Sequence, residues 1–166
     1  GIELSEAEIE SRWILEERGI DRLKLISHGT QSVHDQDLDW IKVVLKRRET
    51  REPLQHILGR AYFRNLALQV SPQVLIPRPE TEELVSLALT LLQNGDQVAD
   101  IGTGSGAIAL ALAQEGPDLK VYATDLSQEA LSMAQSNAQA LNLQVSFLQG
   151  DGLKTLEHVG EFSMII

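Results

Sequence analysis

"VADIGTGSGAIALALA", Val98–Ala113, sets three glycines at alternate positions between two apolar runs. Val98 to Ile101 reads as a short buried strand and Ala107 to Gln114 as an alanine-rich helix. Gly102, Gly104 and Gly106 fill the turn between them, with Thr103 and Ser105 interleaved. Glycine lets the backbone turn sharply and lets a ligand approach with no Cβ in the way. The helix that follows points its free N–H groups into the same space. A strand, a glycine turn and a helix in this order read as a nucleotide site on an α/β fold.

The residues beyond repeat the pattern. Val121 to Thr124 is a second strand ending in Asp125, and Ser127 caps a helix running to about Leu141. Val145 to Leu148 is a third strand, followed by "QGDGL" with Asp151 and Gly152. "EFSMII", Glu161 to Ile166, reads as the opening of a fourth. Strands and helices alternating at this spacing predict a parallel, doubly wound sheet with right-handed crossovers. Such sheets carry ligand chemistry in the loops after their strands. The chain is therefore expected to be a fragment with an incomplete parallel sheet, whose uncovered apolar edge would promote association.

Upstream, "SEAEIESRWILEERG" predicts a helix capped by Ser5 and Glu8, with Ile9, Trp13 and Ile14 on its apolar face and Gly19 as its stop. "DRLKLIS" predicts a short second helix. "SVHDQDLDWIKVVLKRRET" predicts a third, with Leu38, Ile41, Val44 and Leu45 on one side. The cations at its end, Lys42, Lys46, Arg47, Arg48 and Arg51, offset the helix dipole or form a docking patch; the dipole reading is preferred. Leu66, Leu68 and Val70 alternate as a half-buried strand, with Tyr62 and Phe63 supplying its partner across a turn near Asn65. Pro77 and Pro79 hold off a helix whose wide apolar face is Leu84, Val85, Leu87, Ala88, Leu91 and Leu92, ending at Gly95. The organisation expected is a helical bundle over residues 1–52, a β-hairpin linker over 53–76 and an α/β domain over 77–166.

Composition narrows the ligand. There is no cysteine, which excludes disulfides and thiolate metal sites and fits a cytoplasmic protein. No apolar run has the roughly 18 residues of a membrane span, and the first residues do not show the basic-then-apolar pattern of a signal peptide. Residues 1–71 carry a net charge of −1 and residues 72–166 a net charge of −9, with 3 bases in the second segment. A surface that neutralised many phosphates would need clustered Lys and Arg, so direct nucleic-acid binding is not expected there.

Two ligand classes compete for the turn. Gly102, Gly104 and Ala107 satisfy the dinucleotide fingerprint formally, whereas Asp100, Gly102, Gly104 and Gly106 give D-x-G-x-G-x-G. Asp100, at the tip of the first strand, would repel a pyrophosphate and attract a cationic ligand. Asp125 is placed to accept from a ribose diol. Asp151 is placed to meet an adenine amino group. Three acids at three successive strand ends, with no nearby base, suit S-adenosylmethionine, which bears an ammonium and a sulfonium and no phosphate. The reading as a nicotinamide oxidoreductase survives only if Asp100 is unimportant.

The segment "RRETREPLQHILGRAYFRNLALQVSPQVLIPRPETEELV", joined to "VADIGTGSGAIALALA", resembles the bacterial release-factor glutamine methyltransferases, the HemK/PrmC family. The resemblance runs from about Ala7 to Ile166, and "VLIPRPETE" is its most specific part. It implies a Rossmann-like class I methyltransferase domain behind an N-terminal helical domain that docks the release factor. The activity it implies is methylation of the glutamine side-chain amide in the Gly-Gly-Gln loop of peptide chain release factors. By the resemblance, Asp100 and Gly102–Gly106 line the methionine part of the cofactor, Asp125 holds the ribose, and Asp151 with Gly152 borders the adenine.

The family often carries an aromatic residue where Gly152 stands and a tyrosine where His56 stands. His56 is expected to pack on the hairpin rather than act as a base. The family's Asn-Pro-Pro-Tyr loop, which holds the substrate amide, would follow Ile166. No catalytic residue is therefore assigned within this sequence, no metal is called for, and the isolated chain is expected not to methylate. The alternatives are an N6-adenine methyltransferase, which the acidity of residues 72–166 opposes, and a non-catalytic module binding cofactor or release factor.

Overall fold

In the computed structural model residues 3–20, 34–116 and 118–166 are described, and the chain divides into two units at Leu58 and Gly59. The first holds α1 (Leu4–Glu16), α2 (Asp35–Glu49) and a short α3 (Leu54–Leu58). Ile14, Val44 and Leu54 are its buried centre, with Trp13, Trp40 and Ile41 packed against them. Ser5 falls inside α1, which begins one residue earlier with Glu3 at its cap and no side-chain capping bond, so the expected capping box does not form. At the other end Gly19 N–H donates to Glu16 O (2.8 Å) and Ile20 N–H to Leu15 O (3.0 Å). That pair of bonds satisfies carbonyls the helix would otherwise leave unpaired.

Ile9 is exposed, as are Leu38 and Leu45, so each helix buries a narrower stripe than its periodicity suggests. The expected second helix, "DRLKLIS", lies outside the described residues. His56 sits within α3 and not on the hairpin.

The basic run of α2 is largely spoken for. Arg48 Nε donates to Glu10 Oε2 at 2.8 Å, joining α2 to α1, and Arg47 Nε donates to Glu52 Oε2 at 2.9 Å. These bonds raise both guanidinium pKa values and lower that of Glu52.

The second unit opens with an antiparallel hairpin, β1 (Arg60–Phe63) and β2 (Leu66–Gln69), turning at Arg64 and Asn65. Alternation sends Ala61, Phe63, Leu66 and Leu68 inward. Then follow α4 (Pro79–Leu91), β3 (Gln97–Ile101), α5 (Ala107–Glu115), β4 (Lys120–Asp125), α6 (Gln128–Leu141), β5 (Ser146–Gln149), a 3-10 turn (Gly152–Leu156) and β6 (Met164–Ile165). The four later strands form one parallel sheet in the order β5-β4-β3-β6. Chain order reverses between β3 and β6, which places the switch point beside the end of β3. The expected fourth strand is present, pairing Val98 with Met164 and Ala99 with Ile165.

One apolar cluster joins the sheet to its helices and to the hairpin: Phe63, Leu66 and Leu68 meet Val85, Val98, Leu110, Leu112 and Val121. Loss of one such leucine side chain costs about 2–5 kcal/mol. The face of α4 is only half used. Val85, Ala88 and Leu92 are buried, whereas Leu84, Leu87 and Leu91 are exposed, and the helix stops before Gly95.

Arg64 ties the hairpin turn down. Its Nε and Nη2 donate to the two oxygens of Glu115 (2.7 and 2.6 Å), and its Nη1 donates to Glu82 O (2.8 Å) and Ser86 Oγ (2.6 Å). Its own N–H donates to Glu82 Oε1 at 3.0 Å. One residue thus holds β1–β2 against both α4 and α5.

Candidate functional site

The turn after β3 is built from main-chain bonds to the neighbouring strand. Gly102 N–H and Thr103 N–H both donate to Thr124 O, at 2.8 and 2.9 Å, and Gly106 N–H donates to Thr103 O at 2.8 Å. These bonds fold the chain back beside the end of β4 before α5 begins. Gly102, Gly104 and Gly106 all have positive φ, where a side chain is strained.

Their surroundings separate them. A Cβ on Gly102 or Gly104 would meet nothing within 4 Å. On Gly106 it would stand 3.1 Å from Ala134 Cβ and 3.1 Å from Leu110 Cδ1. Gly102 and Gly104 border open space that a ligand can fill. Gly106 is needed for the close approach of α6.

Asp100 lies one residue before the end of β3 and is 2% exposed, beneath the turn rather than at its surface. Its Oδ2 accepts from Thr103 Oγ1 (2.7 Å) and from Ala109 N–H in the first turn of α5 (3.2 Å). Burial raises its pKa to about 6 against the downward pull of those two bonds, and the nearby Asp125 carboxylate pushes the same way as burial. A cation placed against it would favour the ionised form.

Asp125, at the end of β4, spans two loops. Its Oδ2 accepts from Gly104 N–H at 2.9 Å and its Oδ1 from Ser127 N–H at 3.0 Å. Each oxygen keeps a lone pair for a further donor such as a hydroxyl. Ser127 Oγ in turn accepts from Ala130 N–H at 3.1 Å, the capping bond expected from sequence.

The structure therefore brings Asp100, Thr103, Gly104 and Asp125 together. Asp151 follows Gly150, whose N–H donates to Asp125 O at 3.0 Å, and is itself exposed before the 3-10 turn with Lys154 Nζ 3.7 Å from its Oδ2. The expectation that no base lies near the three acids fails at this position. An ion pair so exposed contributes little energy.

Two exposed apolar residues lie in the loops after the strands and were not singled out by sequence. Leu126 follows Asp125 and is 70% exposed; Leu153 follows Gly152 and is 51% exposed. They stand after adjacent strands, β4 and β5. For Leu126 the available signal was a large apolar residue directly behind a strand-end acid, where a solvated loop would carry a polar one.

The turn's donors bear on the choice of ligand. A dinucleotide site presents glycine-turn and helix N–H groups to pyrophosphate. Here the N–H groups of residues 102, 103, 104, 106 and 109 already donate to protein oxygens, two of them to carboxylates. The two carboxylates that hold this turn, Asp100 and Asp125, favour a cation and disfavour a phosphate.

Comparison with known proteins agrees. Residues 82–166 match the family described as methyltransferase small domain, and residues 2–59 match the PrmC N-terminal domain. The release factor glutamine methyltransferase of Streptomyces coelicolor is 46% identical over 159 residues, covering 88% of this chain and 55% of that protein. The protein of the same name from Escherichia coli is 41% identical over 150 residues, covering 89% and 54%. The solved ribosomal protein L11 methylase of Lactobacillus delbrueckii subsp. bulgaricus gives a TM-score of 0.51 at 24% identity, covering 64% of each chain, a likeness that bears on the fold alone. The chain spans about half the length of the curated relatives it matches.

Proposed function

The chain belongs to the methyltransferase small domain family, in its HemK/PrmC branch, and from that premise we propose that the protein carrying it methylates the glutamine side-chain amide in the Gly-Gly-Gln motif of peptide chain release factors, with S-adenosylmethionine as donor. The observation that supports this most is the glycine turn held by two carboxylates, with Gly104 N–H on Asp125, the N–H groups of Gly102 and Thr103 on Thr124 O, and Asp100 beneath on Thr103 Oγ1 and Ala109 N–H. It leaves an anionic, phosphate-excluding cradle at Gly102 and Gly104.

Bound there, the cofactor supplies an electrophilic methyl group on a sulfonium. Asp100 and the carbonyls of the turn supply the negative potential that meets its cationic end. Asp125 accepts from the ribose hydroxyls while keeping Gly104 in place. Leu126 and Leu153 flank the adenine, with Asp151 and Gly152 at its edge. Residues 1–52 dock the release factor, residues 53–76 carry the hairpin linker, and residues 77–166 hold the cofactor. The partner is thus a protein in the cytoplasm, without direct contact to nucleic acid.

An amide nitrogen is a poor nucleophile because its lone pair is delocalised into the carbonyl. Alignment of that nitrogen with the S–CH₃ bond, and acceptors for its hydrogens, supply the rate. No residue of this chain is assigned to that part of the reaction.

Calorimetric titration tests the cofactor half. S-adenosylmethionine and S-adenosylhomocysteine are expected to bind, and NAD is not; the reverse order would sink the reading. Transfer of labelled methyl to a release factor, lost when its Gly-Gly-Gln glutamine is replaced, tests the substrate.

A further inference from the structure

Asn137 in α6 is 1% exposed, yet nothing in the sequence pattern marks it. Its Oδ1 accepts from Gln69 N–H at 2.7 Å, and its Nδ2 donates to Gln69 O at 3.0 Å and to Ser105 O at 2.9 Å. Both amide hydrogens and the carbonyl oxygen are in use, so the orientation of the group is fixed: a flipped amide would set two carbonyls against an oxygen. Toward Gln69 the side chain behaves as a missing β-strand partner, taking the N–H and supplying the donor for the C=O. Toward Ser105 it holds the carbonyl at the centre of the glycine turn. One turn earlier on the same helix, Ala134 lies against Gly106. Helix α6 thus grips the turn at two consecutive residues, once by contact and once by hydrogen bond.

The geometry points to Asn137 as a positioning residue that couples the hairpin to the cofactor turn. Movement of β2 acts on the same amide that fixes Ser105. Gln69 is also the last residue of β2, leading into the "SPQVLIPRPE" segment, so a partner engaging that segment changes cofactor affinity through this link. The inference rests on reading the glycine turn as a cofactor site.

The test is S-adenosylmethionine binding by the full chain and its variants. Asn137→Ala and Gln69→Pro cut the link from opposite sides; proline removes the N–H that faces α6 and the exposed Gln69 side chain, whose Oε1 accepts from Ser136 Oγ at 3.4 Å, and it spares the hairpin ladder bond of Val70 N–H on Gly59 O. Each is expected to weaken binding at least fivefold, and the double variant no further than the stronger single one, because both act through one connection. Ala138→Gly loosens the same helix without touching the link and is expected to lose stability with unchanged affinity. Asn137→Asp keeps the acceptor for Gln69 N–H and loses both donors, so it should bind as weakly as Asn137→Ala.

A loss under fivefold in both single variants, equal losses in Ala138→Gly, or additive losses in the double variant would overturn the coupling. Should Asn137→Ala fail to fold, Gln69→Pro, with Asn137 intact, decides alone. No binding by the unmodified chain would instead overturn the cofactor reading. Amide hydrogen exchange at residues 104–106, faster in Gln69→Pro if the coupling is right and unchanged if it is wrong, would then decide the link.

Discussion

Replacing Asp100 by asparagine should make the ligand-free protein more stable and the cofactor site worse. The carboxyl has an ordinary pKa of 3.8 and is raised to about 6 by burial. At 1.36 kcal/mol per pKa unit, the native state is about 3 kcal/mol less stable with Asp100 ionised than with it neutral. The sign follows from proton binding: the folded state holds the proton more tightly than the unfolded state. The contribution of Asp100 to stability is therefore greatest below pH 4, declines as pH rises through about 6, and stays low above.

Asparagine never ionises, so it removes that decline. It also fits the existing contacts, because both bonds fall on one oxygen: an amide oxygen in place of Oδ2 can still accept from Thr103 and Ala109. Asp100→Asn should raise the urea midpoint at pH 7.5 by the equivalent of about 3 kcal/mol at most, with unchanged slope. The difference should shrink to near zero at pH 4. Affinity for S-adenosylmethionine should fall by roughly tenfold or more, or about 1.4 kcal/mol. A variant less stable than the parent at pH 7.5, or a difference that does not change with pH, would refute the reasoning.

Arg64→Ala removes four side-chain bonds and leaves Glu115 unpaired, an expected loss of about 3 kcal/mol in chemical denaturation, with Arg64→Lys recovering less than half. Glu115 is held below its ordinary 4.5 by Arg64, so this contribution is present above pH 4.5 and fades on acidification; acid unfolding of Arg64→Ala should therefore be shallower than that of the parent. Gly104→Ala and Gly106→Ala should separate: strain of about 1 kcal/mol and lost cofactor binding in the first, a larger loss of about 2–3 kcal/mol in the second from contact with Ala134. Thermal melts and titration check the pair, and equal destabilisation would merge their roles. Leu126→Ala should leave stability within about 0.5 kcal/mol while weakening cofactor binding severalfold; unchanged affinity would remove Leu126 from the site.

Legibility in the sequence followed how local each determinant is. The order of strands and helices from β3 onward could be read because each element carries its own period and punctuation: the glycine turn, the Ser127 cap, the acids that end β4 and precede the 3-10 turn. The hairpin was legible for the same reason, since Leu66, Leu68 and Val70 alternate. What could not be read depends on distant segments. The exposure of Ile9, Leu38, Leu84, Leu87 and Leu91 is set by what else packs on those helices, which a hydrophobic stripe does not specify. Asn137 and Arg64 make their bonds across 32 to 68 and 18 to 51 positions, so neither has a local signature.

The acids of the site changed meaning more than position. Sequence alone casts Asp100, Asp125 and Asp151 as three strand-end acids that all face the ligand, at its cationic end, its ribose and its adenine. The structure gives them different work because they sit at different depths. Asp100, buried, fixes Thr103 and the start of α5, and its charge is weakened until a cation arrives. Asp125, at the surface of the turn, holds Gly104 with one oxygen and Ser127 with the other. Asp151 is solvated and adds little field.

Discrimination against phosphate therefore does not need all three charges. It follows from the N–H groups of Gly102, Thr103 and Gly104 being used within the protein: a pyrophosphate would lack those donors and meet the carboxylate that holds one of them. The same arrangement makes Gly104 the position where a side chain should harm binding most, since it borders the open space and is the one glycine of the turn whose N–H is held by a carboxylate.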